Sequence, residues 1–337
     1  MDHALGLARR GLGNTWPNPA VGCVIVQPDG SGPDDPGQGR VVGRGWTQPG
    51  GRPHAEVRAL AQAGDLARGA TVYVTLEPCA HHGKTPPCAE ALIRAGVARV
   101  VTALTDPDPR VSGRGHAMLR AAGIAVTEDV RAGQARELQR GFLTRVTQGR
   151  PMLTLKLATS FDGRIATAAG ESQWITGPEA RRHVHLLRLT HDAVIVGGGT
   201  ARADRPALNV RGMGAVRQPV RILVSGQALP DLPEEGAEHG PLWQVGGPPG
   251  QILAELGARG LTRVFCEGGG VLAASLLRAG LVDQLIGYTA GLVLGADGRA
   301  ATGALELARL ADAPRFRLVE TRRIGADLMH RWLRAET

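Results

Sequence analysis

The sequence predicts an α/β chain of two domains. Short apolar runs rich in valine and isoleucine alternate with segments of helical periodicity, the pattern of sheets layered with helices. The length of 337 residues exceeds that of an ordinary single domain. The strand-like runs of the second half end on glycine or polar residues, and ligands of open α/β sheets collect outside such strand ends.

Residues 21–27 (VGCVIVQ) and 41–46 read as strands, joined by PDGSGPDDPGQG, whose Gly, Pro and Asp content precludes regular structure. A helix is expected over 54–63, a strand over 71–76, a helix over 89–95 and a strand over 100–104. A helix over 116–122, ended by Gly123, leads to a strand over 124–130 (IAVTEDV). A linking helix over 132–146 precedes Gly149-Arg150-Pro151, which divides the chain into domains 1–148 and 149–337. The second domain draws its strands from MLTLKLATS, DAVIVGGGT, VRILVS and TRVFCEGGG.

Composition narrows the function. Hydrophobic residues make up 43% and charged residues 21%, ordinary globular values, and no apolar run reaches the roughly 18 residues of a membrane span. The N-terminal MDHALGLARRGLG lacks the apolar core and cleavage site of a secretory signal, so a cytoplasmic protein is expected. The four cysteines, Cys23, Cys79, Cys88 and Cys266, are too few for a disulfide scaffold of this size; metal binding or burial is the better reading. A net charge of +8 attracts anions. The arginines are scattered and aromatics make up only 3%, which favours small phosphorylated ligands over nucleic acid. Just two lysines occur, Lys84 and Lys156; each is a candidate for a place where a guanidinium does not fit, with chance survival as the alternative.

The chemistry concentrates in two stretches of the first domain. PHAEVRAL places His54 two residues before Glu56, and LEPCAHHGKTPPC supplies Cys79 and Cys88. One imidazole and two thiolates give zinc three protein ligands and leave a fourth position for water, as catalytic sites require. The order matches the H-x-E…P-C signature of zinc deaminases, in which the glutamate moves protons and is not a ligand. The common form spaces its cysteines C-x-x-C, whereas eight residues intervene here. His81 and His82 read as loop or substrate contacts, because a fourth protein ligand would close the site. Sulfur and imidazole ligands suit zinc and iron alike. Cys23 and Cys266, within apolar strands, read as core residues.

PNPAVGCVI, HAEVRAL, LEPCAHHGKTPPC and DPDPRVSGRG in the first half, then KLATSFDGRIA, GESQWITGPEAR, DAVIVGGGTARADRPALNVR and CEGGG in the second, resemble the bifunctional riboflavin-biosynthesis deaminase/reductases. The resemblance implies a cytidine-deaminase-like three-layer domain followed by a dihydrofolate-reductase-like α/β domain. It implies removal of the 2-amino group of 2,5-diamino-6-ribosylamino-4(3H)-pyrimidinone 5′-phosphate, then NADPH reduction of ribosyl to ribityl, in a homo-oligomer of two or more chains. His54, Cys79 and Cys88 take the zinc positions and Glu56 the proton shuttle. Asn18, Lys84 and Asp106 fall where the family contacts substrate. Thr47 stands where the family has histidine, and Asp108 where it has asparagine, which raises the alternative that only one half is active.

In the second domain the resemblance places Ser172, Arg188, Leu208, Arg211 and Glu267 around the ribose phosphate. It places Ala158, Trp174, Thr200, Asp204, Ser225 and Gly268, Gly269 and Gly270 along NADPH. Glycines between a strand and a helix suit phosphate, since backbone N–H groups and the helix dipole favour an anion there. Lys156 is a candidate acid for the reduction or, equally, a phosphate partner. Arg188 and Arg211 offer paired N–H groups to phosphate. Asp162, followed by Gly163, reads as a structural turn residue.

Overall fold

The computed structural model describes residues 1–28, 39–82, 86–109, 111–228 and 232–335. Most of the expected loop after residue 27 and all of Lys84 lie outside the described residues. The chain divides into two units, Met1–Gly149 and Arg150–Thr337.

The first unit runs α1 (Asp2–Ala8), β1 (Gly22–Pro28), β2 (Gly39–Trp46), α2 (Ala55–Ala63), β3 (Thr71–Val74), α3 (Cys88–Ala95), β4 (Arg99–Thr102), α4 (Arg114–Ala121), β5 (Ala125–Thr127) and α5 (Ala132–Gln148). Its sheet has the order β2-β1-β3-β4-β5. β1 is antiparallel to β2 and β3, whereas β3, β4 and β5 run parallel. The two-residue period of β1 sends Cys23 and Ile25 into a core shared with α2 and α3, and Val24 to the opposite face with Ala4 and Leu7 of α1. α2 lies directly on β2. A Cβ at Gly45 would come within 2.1 Å of the Ala55 carbonyl oxygen, so only glycine admits the start of that helix.

The second unit runs β6 (Met152–Thr159), β7 (Arg164–Ala166), α6 (Pro178–Leu189), β8 (Ala193–Gly197), α7 (Gly198–Asp204), β9 (Val220–Val224), β10 (Leu242–Val245), α8 (Pro249–Ala258), β11 (Arg263–Cys266), α9 (Gly270–Arg278), β12 (Gln284–Thr289), β13 (Arg299–Ala300), β14 (Phe316–Ile324) and β15 (Asp327–Arg334). The main sheet has the order β10-β9-β8-β11-β6-β12-β15-β14, and β7 pairs with β13. Neighbours from β10 to β12 are parallel, which sets the C-terminal ends of β6, β8, β9 and β11 side by side. β15 and β14 close one edge antiparallel.

The expected elements are present with shifted ends. The strand expected over 124–130 is confined to Ala125–Thr127, and Asp129 beyond it turns to a φ of 60°. No helix among the described residues is long and apolar enough to cross a membrane.

Candidate functional site

In the first unit, His54 caps the start of α2, Glu56 sits in its first turn, and Cys88 opens α3. His54 Nδ1 lies 3.3 Å from Cys88 Sγ and 3.7 Å from Cys79 Sγ, and all three donor atoms fall within 4.8 Å of one another. Zinc bonds of about 2.0 Å to nitrogen and 2.3 Å to sulfur make tetrahedral edges of roughly 3.5–3.8 Å, so the triad fits the ion. The Cys88 backbone N–H donates to Cys79 Sγ at 3.2 Å. The hydrogen bond from Cys88, followed by those from His54 and this N–H, pulls the Cys79 thiol down to about 4 despite burial, toward the thiolate a metal binds. Burial pushes the Glu56 carboxyl up to about 7, where it both takes and gives a proton near neutral pH.

A cavity of about 580 Å³ opens on the triad, a size that suits one small ligand. Asn18 and Asp106 line it with His54, Glu56 and Cys79, so those predicted residues meet. Asn18 donates to the Gly51 carbonyl at 3.1 Å, and the Asp106 carboxylate accepts the Asp108 N–H at 2.9 Å. Burial raises the Asp106 carboxyl to about 6. Thr47 is buried, and its hydroxyl oxygen accepts the Val21 N–H at 2.9 Å, tying the end of β2 to the start of β1. His82 pairs with Glu90, whereas the buried Nδ1 of His81 has no hydrogen-bond partner among the described residues.

Sequence reasoning passes over Glu77. Its buried carboxylate accepts the N–H groups of Asp106, Gly113, Gly115 and His116 at 3.1, 3.0, 2.9 and 3.3 Å, and thereby holds the segment that carries Asp106. A Cβ at Gly115 would stand 2.1 Å from the Pro78 carbonyl oxygen, so the same segment needs glycine to close on this wall. The available signal was a carboxylate inside the apolar run TLEPC, a residue that must find partners when buried.

In the second unit, Lys156, Arg188 and Glu267 gather where β6, α6 and β11 meet. Arg188 donates from Nε to Glu267 Oε1 at 2.6 Å, from a terminal nitrogen to Oε2 at 3.1 Å, and from the other to the Asn209 carbonyl at 2.7 Å. The paired grip read as available to phosphate is therefore held by Glu267, because a buried carboxylate requires a counter-charge. Burial works against the charge of Glu267, yet Arg188 and then Lys156 hold its carboxyl below the ordinary value. Burial lowers the Lys156 amine, with Glu267 opposing that shift.

Thr200, Ser225 and the glycine triplet collect at the neighbouring strand ends. The Gly269 N–H donates to the Thr200 hydroxyl at 3.3 Å, and Gly269 caps α9. A Cβ at Gly198 would stand 2.9 Å from Ser225 Oγ. Ala158, late in β6, pairs with Tyr288 and packs against the core that contains buried Leu208. Leu208 itself adopts a φ of 52°, a conformation leucine rarely takes. Trp174 is exposed and carries the Arg181 guanidinium 4.5 Å over its ring. Asp204 and Arg211 are exposed and Ser172 half-buried. The Arg211 backbone N–H meets His185 Nδ1 at 3.2 Å, a histidine that no motif flagged. Asp162 accepts from the Ser160 hydroxyl and the Leu294 and Gly295 N–H groups, the turn role expected. Cys23 and Cys266 are fully buried in their strands.

Residues 1–104 match the family described as the cytidine and deoxycytidylate deaminase zinc-binding region, and residues 151–330 match the RibD C-terminal domain. Fold and site thus define a zinc-dependent deaminase followed by an NADPH-dependent reductase, of cytidine-deaminase-like and dihydrofolate-reductase-like folds. The chain is 42% identical to riboflavin biosynthesis protein RibD of Escherichia coli (strain K12) and 41% to that of Mycobacterium tuberculosis (strain ATCC 25618 / H37Rv). These alignments cover 97% and 98% of this chain and 96% of each relative. Among solved structures, Acinetobacter baumannii RibD, form 1, aligns with a TM-score of 0.87 and 39% identity over 100% of this chain and 98% of that one. A Thermotoga maritima diaminohydroxyphosphoribosylaminopyrimidine deaminase/5-amino-6-(5-phosphoribosylamino)uracil reductase gives 0.84 and 33% over 99% and 97%. The chain belongs to the RibD family, the bifunctional deaminase/reductases of riboflavin biosynthesis. The family, folds and paired activities expected from the motifs are those found.

Proposed function

We propose that residues 1–148 deaminate 2,5-diamino-6-ribosylamino-4(3H)-pyrimidinone 5′-phosphate and that residues 149–337 reduce its ribosyl group to ribityl. The observation that carries the deaminase reading is the triad of His54, Cys79 and Cys88, with buried Glu56 beside it at the end of a cavity. His54, Cys79 and Cys88 would hold the metal, which when bound supplies a Lewis acid that makes water a nucleophile at neutral pH. Glu56 accepts a proton from the attacking water on a carboxylate oxygen and delivers it to the departing amine nitrogen, so that ammonia leaves. Asn18 and Asp106 orient the pyrimidine, and Lys84, between Cys79 and Cys88 in sequence, supplies a cation for the phosphate.

In the reductase, Thr200, Ser225, Gly268, Gly269 and Gly270, with Ala158, Trp174 and Asp204, would hold NADPH, which supplies hydride. Their clustering at adjacent strand ends supports this assignment. Ser172, Leu208 and Arg211 would lie around the ribose phosphate, with Arg188 and Glu267 paired to each other beside it. Lys156, half-buried beside Glu267, donates the proton that accompanies reduction. The protein works in the cytoplasm, without nucleic acid or membrane, as a homo-oligomer.

The test is a coupled assay on metal-analysed protein, recording ammonia release without NADPH and then NADPH oxidation once it is added. Ammonia first and NADPH consumption in step with it are expected. Glu56→Gln lowers ammonia release by roughly 100- to 10,000-fold while the deaminated substrate still oxidises NADPH. Unchanged ammonia release in that variant would refute the role of Glu56.

A further inference from the structure

If NADPH lies along the strand ends as proposed above, the chemistry at its two ends fixes its direction across the sheet. The nicotinamide must reach the sugar beside Lys156 of β6 and Glu267 after β11, because hydride passes directly between the two. Gly269 and Thr200, joined N–H to hydroxyl at 3.3 Å, follow the ends of β11 and β8. Ser225 follows β9, one strand further out. From β6 to β9 is three strand spacings, about 14 Å, which an extended dinucleotide covers, so its adenosine ribose falls beside Ser225.

Thr200 of α7 meets Gly269 on the β11 side, and Asp204, four residues later, shares its side of the helix. Arg202 lies on another face, which it shares with Gly198, four residues earlier. Its guanidinium folds back over that glycine: a Cβ at Gly198 would meet Arg202 Nη1 at 3.1 Å and Ser225 Oγ at 2.9 Å. The two groups thus converge on the space that a side chain at 198 would fill, at most about 6 Å apart, a gap that one phosphate bridges with a hydrogen bond to each. Ser225 Oγ is held there by the Gln227 N–H it accepts at 3.1 Å, and its O–H donates to the Gln227 carbonyl at 3.1 Å until a ligand turns it. Gln244 braces this turn through the Ser225 and Gln227 carbonyls at 2.9 and 3.0 Å. Arg202 is exposed and, among the described residues, forms no ion pair, whereas the Arg188 guanidinium is occupied by Glu267. A carboxylate beside an adenosine ribose bonds the free 2′-hydroxyl of NADH; an arginine there accommodates the 2′-phosphate of NADPH.

We propose that Arg202, seated over Gly198 beside the Ser225 hydroxyl, binds the 2′-phosphate of NADPH and sets the preference of this chain for NADPH over NADH. The proposal rests on the cofactor placement given above and adds to it a residue not among those assigned to the cofactor. Arg202 acts as a specificity group at the adenosine end, away from the reacting carbon of the nicotinamide.

The experiment titrates the full-length wild type, Arg202→Gln and Arg202→Lys with NADPH and with NADH, reading the fluorescence of the bound nicotinamide, which reports binding without turnover. Loss of a charge-assisted contact raises Kd for NADPH roughly 10- to 100-fold in Arg202→Gln and leaves Kd for NADH within about two-fold, so the preference collapses. Arg202→Lys keeps part of the preference, since an ammonium retains the charge without the paired N–H groups. Adenosine 2′,5′-bisphosphate, followed by calorimetry, loses affinity in Arg202→Gln by the same factor as NADPH, whereas adenosine 5′-monophosphate does not. An unchanged Kd for NADPH in Arg202→Gln, or an equal loss for both dinucleotides, would overturn the proposal, as would a wild type that binds NADH as tightly as NADPH. A wild type that binds neither dinucleotide would instead overturn the cofactor placement on which it rests.

Discussion

Replacing Glu77 with glutamine tests whether a single buried carboxylate holds the substrate wall of the deaminase. Oε2 accepts the N–H groups of Asp106 and Gly113, and Oε1 those of Gly115 and His116. A glutamine keeps one oxygen, so in either orientation two of these N–H groups face an NH2 and lose their acceptor. At about 1.5–3 kcal/mol for each bond to a charged group, the loss is about 3–6 kcal/mol, a large share of the stability of an ordinary domain. The segment near Asp106 releases before the whole unit unfolds, because these contacts attach it to the end of β3. Ammonia release is expected to fall about 100-fold or more in kcat/KM, while NADPH oxidation with the deaminated substrate persists. Hydrogen exchange at the amides of Asp106, Gly113, Gly115 and His116 supplies the structural readout. Wild-type protection at those four amides, with unaltered deamination, would refute the reasoning.

Two further predictions concern the reductase unit. Glu267→Gln removes the counter-charge of Arg188 and Lys156, both held in low exposure, and is expected to destabilise this unit by about 3–5 kcal/mol in urea unfolding. A change below about 1 kcal/mol would show that the two cations are adequately solvated without it. His191 donates from Nδ1 to the Leu187 carbonyl, and its Nε2 accepts the Thr154 hydroxyl, an arrangement that requires the neutral ring. Burial, aided by Arg263, lowers its pKa from 6.5 to about 3. The unfolded chain therefore binds the proton first, and the stability His191 contributes is present above pH 6.5 and lost as pH falls toward 3. Relative to pH 7.5, this one group accounts for about 2 kcal/mol of lost stability at pH 5, read by urea unfolding across that range. The same acid sensitivity in His191→Gln would assign the loss to other groups.

Local order in the chain made much of this protein legible before any coordinates. His54, Glu56, Cys79 and Cys88 declare themselves by type and spacing, because a metal accepts few side chains and the connecting helix and strand must bring them together. The β1–β2 hairpin and the parallel strands after it follow from apolar periodicity, which needs no knowledge of what packs against them. Periodicity was less informative for the last quarter of the chain. β14 is an edge strand, largely exposed, with the polar sequence FRLVETRRI, and carries no apolar alternation strong enough to announce it.

Tertiary structure alone decided which charged groups serve each other. Glu77 finds its four N–H partners 29 to 39 residues further along the chain, and Arg188 finds Glu267 across 79 residues. Neither separation leaves a pattern in sequence, because such pairings arise only when strand order and helix packing bring distant backbone and side chains within hydrogen-bond distance. The two kinds of information differ for one physical reason. Secondary structure is set by interactions among near neighbours, and the metal ligands, although 25 and 34 residues apart, belong to the few residue types a metal accepts, so the sequence alone determined both here. Whether a buried arginine is available to a phosphate or already spoken for by a carboxylate depends on desolvation and counter-charge, which exist only once the chain has closed around them.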